Sequence, residues 1–297
     1  MGTPQYAKVI LKALLKEKNI EVVCVFTQPD KPVGRKKVLT PPIVKSYLVE
    51  NHPEIPIFQP KNLKDKSIKR KISTFKPDFI VVAAYGQILP VEILNIATPI
   101  NLHASILPKF RGASPIQEAI LSGDKFSGVT AMLMSQGLDS GDMLAFSYLE
   151  ISDLNAQEIF DNLSIKAANL TIKVLKNFDK ILPISQFSGL SSKCAKVKKT
   201  DGLVKFSDDI NSVMYKFRAY FPWPGIFLEN GTKILQAKFS EILGPEGEIL
   251  EILDDSFVVG FSGGGLEILE IQEVGKKALK AKDFINGKRL KLGDRIY

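Results

Sequence analysis

Glu21-Val22-Val23-Cys24-Val25-Phe26-Thr27 and Phe79-Ile80-Val81-Val82-Ala83-Ala84 are short, continuous apolar runs, both rich in valine. β-Branched side chains suit extended backbone. A run that is apolar at every position, rather than at alternate ones, suits a strand covered on both faces, as in a parallel sheet. Between and around these runs the pattern turns helical. Residues 7–18 set Val9, Ile10, Leu14 and Leu15 on one stripe with lysines opposite, the mark of a helix packed on a core. Further helices are expected near 42–50, 63–75, 115–121 and 155–177, and a further strand at 128–134. Strands alternating with helices predict an α/β fold of the doubly wound, Rossmann-like kind. Its ligands should gather at the carboxyl ends of the strands.

The texture changes near residue 183. Residues 183–201 are polar, with Gln186, Ser188, Ser191 and Ser192 followed by Lys193, Lys196, Lys198 and Lys199. This stretch reads as a linker between an N-terminal domain, 1–182, and a C-terminal one, 202–297. After one helix (208–219) the C-terminal part carries short strand-like pieces at 226–229, 233–239, 248–252, 256–261 and 266–272. Short strands separated by Gly and Asn turns predict a small OB-like β-barrel. Trp223, the single tryptophan, lies between Pro222 and Pro224 and reads as packing beneath that barrel.

The 297 residues are 45% hydrophobic and 24% charged, a globular balance that excludes a disordered chain. Two cysteines cannot make a disulfide framework. Cys24 reads as core and Cys194 as an exposed thiol, both at home in a reducing cytoplasm. No apolar segment approaches the roughly 20 residues of a membrane span, and no leader pattern opens the chain. The expected setting is cytoplasmic. A net charge of +8 favours an anionic partner.

The chemistry concentrates in Ile100-Asn101-Leu102-His103-Ala104-Ser105-Ile106-Leu107-Pro108-Lys109-Phe110-Arg111-Gly112. In extended backbone Asn101 and His103 face one way and Leu102 the other. The other histidine, His52, sits in a turn-like segment before Pro53, so any imidazole chemistry falls to His103. Separated histidines and cysteines cannot supply metal ligands at motif spacing, so no metal is expected. A second polar stretch, Met134-Ser135-Gln136-Gly137-Leu138-Asp139-Ser140-Gly141-Asp142, has glycines that let its backbone approach a ligand.

Together, N-L-H-A-S-I-L-P-K-F-R-G-A-S-P-I and G-L-D-S-G-D-M-L resemble the signature of the folate-dependent formyltransferases. The resemblance extends through Q-P-D-K-P-V-G-R (28–35), V-V-A-A-Y-G-Q-I-L-P (81–90), R-A-Y-F-P-W-P-G (218–225) and E-V-G-K-K-A (273–278). It implies transfer of the formyl group of 10-formyltetrahydrofolate, as donor substrate, to the free amine of methionyl initiator tRNA. Asn101, His103 and Asp139 would be catalytic. The reduced folate would lie against Tyr85, Gly86, Gln87, Ile88, Leu89, Ser105, Leu107, Pro108 and Asp142. The tRNA would meet Arg35, Lys36 and Lys37 on a mobile loop, then Lys198, Lys199, Lys276 and Lys277. Residue chemistry is compatible: an amide can donate to an oxyanion, imidazole exchanges protons near neutral pH, and a carboxylate can orient it. Two departures stand out. The family has an apolar strand ahead of the Gly2-Thr3-Pro4 turn, so the first strand is expected to be missing here, upstream of Met1. A second glycine after Arg35 is also absent. The competing acceptors are an amino sugar nucleotide or other small amine, and the competing class is a tRNA-binding relative without catalysis. A monomer is expected.

Overall fold

The computed structural model describes residues 1–34 and 36–296. The chain is of mixed α/β content and divides into two compact units. The first comprises Met1–Ile116, Lys125–Glu150 and Glu158–Ala195; the second comprises Gln117–Asp124, Ile151–Gln157 and Lys196–Tyr297. The polar stretch expected as a linker therefore belongs, as far as Ala195, to the first unit.

The first unit is organised by a four-stranded sheet in the order Phe79–Val82, Thr98–His103, Phe126–Leu133 and Met143–Glu150. The first pair is parallel and the other two are antiparallel. The sheet is thus mixed, and its parallel part is the one forecast by the continuous apolar run. Phe126–Leu133 is buried from Ser127 to Met132, as a central strand must be. Helix Gln5–Lys16 buries Tyr6, Ala7, Ile10, Leu11 and Leu14 on one face; Ile10 and Leu14 belong to the stripe read from sequence, while Val9 and Leu15 are half-buried. Helix Lys66–Thr74 starts at Asp65, whose carboxylate accepts from Ser67 N at 2.8 Å; that satisfies one of the free N–H groups of the first turn.

The run at 21–27 yields only a two-residue strand, Val25–Phe26, parallel to Ile57–Phe58. A strand needs a partner for its backbone groups, and residues 21–24 have none in a sheet. On the other side of this strand Gly2 N donates to Phe26 O at 3.0 Å, while Ala83 N donates to Met1 O at 3.0 Å. Met1 and Gly2 therefore bridge Phe26 and the Phe79–Val82 strand as the end of an intervening strand would. Beside them lies a cavity of about 670 Å³, lined among others by Val22, Val23, Val25, Phe79 and Val81. Burial there pushes the Met1 amine down to about 6.

The second unit holds one sheet in the order Ile226–Phe227, Lys233–Ser240, Gly264–Gln272, Phe257–Phe261 and Ile249–Ile252, with Leu279–Lys280 also on Gly264–Gln272. The five strands of that order fall within a residue or two of their forecasts, and Leu279–Lys280 is a further strand that the sequence reading did not include. Among the described residues the two end strands do not pair with each other, so the sheet does not close into the barrel expected from sequence. Ile210, Val213, Ile234, Phe257, Val259, Leu266, Ile268 and Phe284 make its core. Trp223 is 58% exposed rather than buried beneath the sheet. Its neighbours Pro222 and Pro224 offer no N–H to a ladder, and the sheet begins only at Ile226.

The sheet of the first unit tolerates no side chain at Gly128, where a Cβ would stand 2.2 Å from Ser147 O and 2.5 Å from Ile106 Cδ1. Gly128→Ala should lower unfolding free energy by about 1–3 kcal/mol, read from urea or guanidinium midpoints at unchanged slope.

Candidate active site

Asn101 and His103 both lie on Thr98–His103 and leave the same face of the sheet, with Leu102 buried on the other side. The strand is held on both edges: Asn101 faces Val82 on one neighbour and Met132 on the other. The polar pair therefore stands on a rigid element. The loop between Phe126–Leu133 and Met143–Glu150 opens where Met134 N donates to Pro99 O at 2.8 Å and closes where Leu133 N donates to Asp142 O at 2.8 Å. Gly141 is required in it, since a Cβ there would lie 1.9 Å from Leu133 O.

Folding back, this loop brings Asp139 against both strand residues. Asp139 Oδ1 accepts from Asn101 Nδ2 at 3.2 Å, and Oδ2 accepts from the backbone N of Gly112 at 3.0 Å. Oδ2 also stands 3.7 Å from His103 Nδ1. The far nitrogen, His103 Nε2, is 2.8 Å from Phe110 O. A carbonyl oxygen can only accept, so Nε2 carries a proton and Nδ1 is the nitrogen left to gain or lose one beside the carboxylate. His103 is 6% exposed, and a low-dielectric surround strengthens each of these interactions.

The turn that carries Phe110 is fixed from inside. The Thr130 hydroxyl, fully buried, donates to Ser105 O at 2.7 Å and accepts from Leu107 N at 3.0 Å. Ser105 Oγ donates to Lys109 O at 2.7 Å, and Leu107 packs against Met132 and Met143. From outside, residues 183–195 strap both loops. Ile184 bridges Met143, Ser185 Oγ donates to Asp142 Oδ1 at 2.9 Å, and Phe110 N donates to Ser192 Oγ at 2.9 Å. Lys193–Cys194 then pairs in parallel with Arg111–Gly112. This corrects the reading of Cys194 as an exposed thiol: it is buried, with Sγ 3.4 Å from Phe110 O. Gly112, at φ +126°, allows the approach; a Cβ there would meet Cys194 O at 2.3 Å.

Residues 83–90 leave the sheet beside Asn101, because Val82 is its partner. Gly86 and Ile88 are exposed and Gln87 is half-buried, with its Nε2 donating to Pro60 O at 3.0 Å. Tyr85 and Leu89 point instead into a core with Leu63, Ile72 and Ile93. Burial pushes the Tyr85 phenol up to about 12, while its carbonyl accepts from Thr3 Oγ1 at 3.0 Å and Gln28 Nε2 at 3.1 Å. With Ser105 and Leu107 also buried, the side chains of these four are turned into the protein. Pro108 and Asp142 are half-buried.

Of the basic candidates, Arg35 lies outside the described residues. The loop expected to be mobile is an exposed antiparallel hairpin of Lys31–Val33 with Val38–Thr40, and Lys36 and Lys37 sit at its tip. Lys198 and Lys199 are exposed at the short turn Lys199–Gly202. Lys277 is exposed, whereas Lys276 Nζ is 2.7 Å from Glu273, a carboxylate shared with Lys288. Sequence reasoning missed Thr130, Gln186 and Ser192, whose partners are all distant in the chain; only the polar character of 183–201 hinted at hydrogen bonding. Among the described residues no group of three His, Cys, Asp or Glu could hold a metal ion, and no helix is long and apolar enough to cross a membrane.

The family model for formyl transferase matches residues 1–178, and that for the formyl transferase C-terminal domain matches 196–289. The methionyl-tRNA formyltransferase of Campylobacter hominis is 60% identical over 297 residues, covering 100% of this chain and 98% of the relative. That of Campylobacter fetus is 57% identical, with the same coverage. Among solved structures, WlaRD, a sugar 3N-formyl transferase crystallised with dTDP and 5-N-formyl-THF, superposes with a TM-score of 0.67 at 18% identity, over 93% of this chain and 97% of that one. HypX from Aquifex aeolicus, in complex with tetrahydrofolic acid, gives 0.60 at 20% identity over 84% of this chain and 48% of that longer one. At those identities the structural likeness is one of fold.

Thr130→Val keeps the shape of the side chain but strands a buried N–H and a buried carbonyl. It should lower stability by about 1–3 kcal/mol, measured by denaturant unfolding, whereas Thr130→Ser should retain most of it.

Proposed function

Since the chain belongs to the methionyl-tRNA formyltransferase family, we propose that it moves the formyl group of 10-formyltetrahydrofolate onto the free amino group of methionyl initiator tRNA. The observation that carries the site assignment is the convergence of Asn101 and His103 with Asp139, 38 and 36 residues further on, around one carboxylate. In the reaction the amine nitrogen attacks the formyl carbon, the carbonyl oxygen takes up negative charge, and the bond from carbon to the folate N10 breaks. The amine loses a proton and N10 gains one. Asn101 has two amide protons, of which the Asp139 bond uses one, and the other is available to the developing oxyanion. His103 Nδ1 takes the proton of the amine and returns it to the leaving nitrogen. Between those steps the ring is an imidazolium, tied to Phe110 O at one end and facing the Asp139 carboxylate at the other. The Phe110 carbonyl thus orients the ring through Nε2, and Asp139 balances the charge of the imidazolium at Nδ1. No nucleophilic side chain is needed.

For the folate we propose the backbone of residues 85–90 and 139–142, with Ser105, Leu107 and Pro108 forming the adjoining wall. For the tRNA we propose phosphate contacts from the exposed lysines Lys36, Lys37, Lys198, Lys199 and Lys277; Lys276, paired with Glu273, contributes less net charge. The second unit, with its open sheet, is read as a platform for that polyanion. The working form is read as a monomer acting in the cytoplasm. An amino sugar acceptor draws support only from a likeness of fold at 18% identity, against 60% identity to a methionyl-tRNA formyltransferase.

With labelled 10-formyltetrahydrofolate and methionyl initiator tRNA, the chain should yield formylmethionyl-tRNA. Asn101→Ala should reduce kcat by roughly 10²–10³ and His103→Ala by roughly 10²–10⁴. Full activity in either variant would overturn the site assignment. Lys198→Ala with Lys199→Ala should weaken tRNA binding and flatten its log–log salt dependence by about 1–2 units, leaving folate binding unchanged; an unaltered salt slope would remove those lysines from the interface.

A further inference from the structure

Gln186 lies in a stretch that neither family model covers, yet its amide joins the two loops of the site. Its Nε2 donates to Asp139 O at 2.9 Å and to Gly141 O at 2.7 Å. Its Oε1 accepts from Arg111 Nε at 2.9 Å. The residue after Arg111 is Gly112, whose N donates to Asp139 Oδ2 at 3.0 Å. A closed ring of contacts therefore runs from the Asp139 backbone through Gln186, Arg111 and Gly112 back to the Asp139 carboxylate. Every donor and acceptor of the Gln186 amide group is turned toward this ring.

The ring has something to hold. Asp139 sits at φ +45° and Phe110 at φ +61°, left-handed backbone that a residue with a side chain adopts only where its surroundings require it. Asp139 lies in one loop and the His103 acceptor Phe110 in the other, so the relation between the loops sets the distance from Asp139 to His103. Main-chain pairing of Lys193–Cys194 with Arg111–Gly112 secures the second loop from one side, and Ser185 secures Asp142. Besides the direct bond from Gly112 N to the Asp139 carboxylate, the Gln186 side chain joins one loop to the other.

We propose that Gln186 is a positioning residue for formyl transfer: it fixes Asp139 against His103 and Asn101 without touching substrate. The proposal rests on the reading of Asp139 as the catalytic carboxylate. An amide is the only side chain of this length that donates to two carbonyls and accepts from a guanidinium at once. Glutamate preserves the length and the Arg111 bond but sets a carboxylate oxygen against two carbonyl oxygens. Displacements on the order of 1 Å in such a constellation lower rates by as much as roughly 10².

The test is steady-state and single-turnover kinetics of Gln186→Ala and Gln186→Glu, alone and combined with Asp139→Asn, with a circular dichroism melt of each protein. Expected is a fall in kcat of roughly ten- to a hundredfold, larger for Gln186→Glu, with KM for the tRNA and for the folate each within about threefold of wild type. Because Gln186 acts through Asp139, adding Gln186→Ala to Asp139→Asn should slow the single-turnover rate by less than about twofold. Wild-type kcat in a folded Gln186→Ala and Gln186→Glu overturns the proposal. So does a full multiplicative loss in the double variant, which would mark a general structural role. The underlying reading has its own readout: an active Asp139→Asn single variant would refute Asp139 as the catalytic carboxylate before Gln186 is considered.

Discussion

The carboxylate of Asp139 is the point on which the site of the first unit depends. It accepts from the Asn101 amide and the Gly112 backbone, and it faces the one ring nitrogen of His103 that the Phe110 carbonyl leaves free. Without it, a strand-borne amide and a buried imidazole would be two separate polar side chains. With it, the central strand and two loops are held in one hydrogen-bonded unit whose geometry suits proton movement at Nδ1.

Holding that carboxylate in place explains much of the surrounding architecture. The strand that presents Asn101 and His103 is paired on both sides and cannot slide without turning its polar pair toward the core. The loops on either side contain left-handed residues, Phe110 and Asp139, and a third, Ala84, follows the neighbouring parallel strand. Such conformations cost about 1–3 kcal/mol each and persist where hydrogen bonds over-determine them. Thr130 supplies those bonds from within the sheet, and Ser185, Gln186 and Ser192 supply them from the strap at 183–195. The strap also buries Cys194, whose backbone carbonyl approaches so closely that only glycine fits at 112.

Much of this was legible in the residues alone. The forecast helices and most strands recur within a few positions, because periodicity reports which face is buried and that is a local property. Asn101 and His103 were legible as a same-face pair for the same reason. Other readings required partners that no local pattern names. The run at 21–27 has strand chemistry throughout, yet only Val25–Phe26 finds a ladder. Tyr85 and Leu89 lie in a segment resembling a ligand loop but send their side chains to the core. Trp223 is apolar enough to be buried yet is exposed, in a proline-flanked segment ahead of the first strand of its sheet. Cys194, in lysine-rich surroundings, is buried by the strand it pairs with.

By itself, the sequence determined the types of element, the family signature and the chemical groups available for catalysis, since each is written in residue identity and short-range spacing. The tertiary structure decided which of those groups meet. Asp139 reaches His103 only because its loop folds back over the sheet, and Gln186 is part of the site only because a polar stretch is laid across both loops. Contacts between residues tens of positions apart depend on chain reversal and packing, and these are properties of the whole unit, not of any window within it.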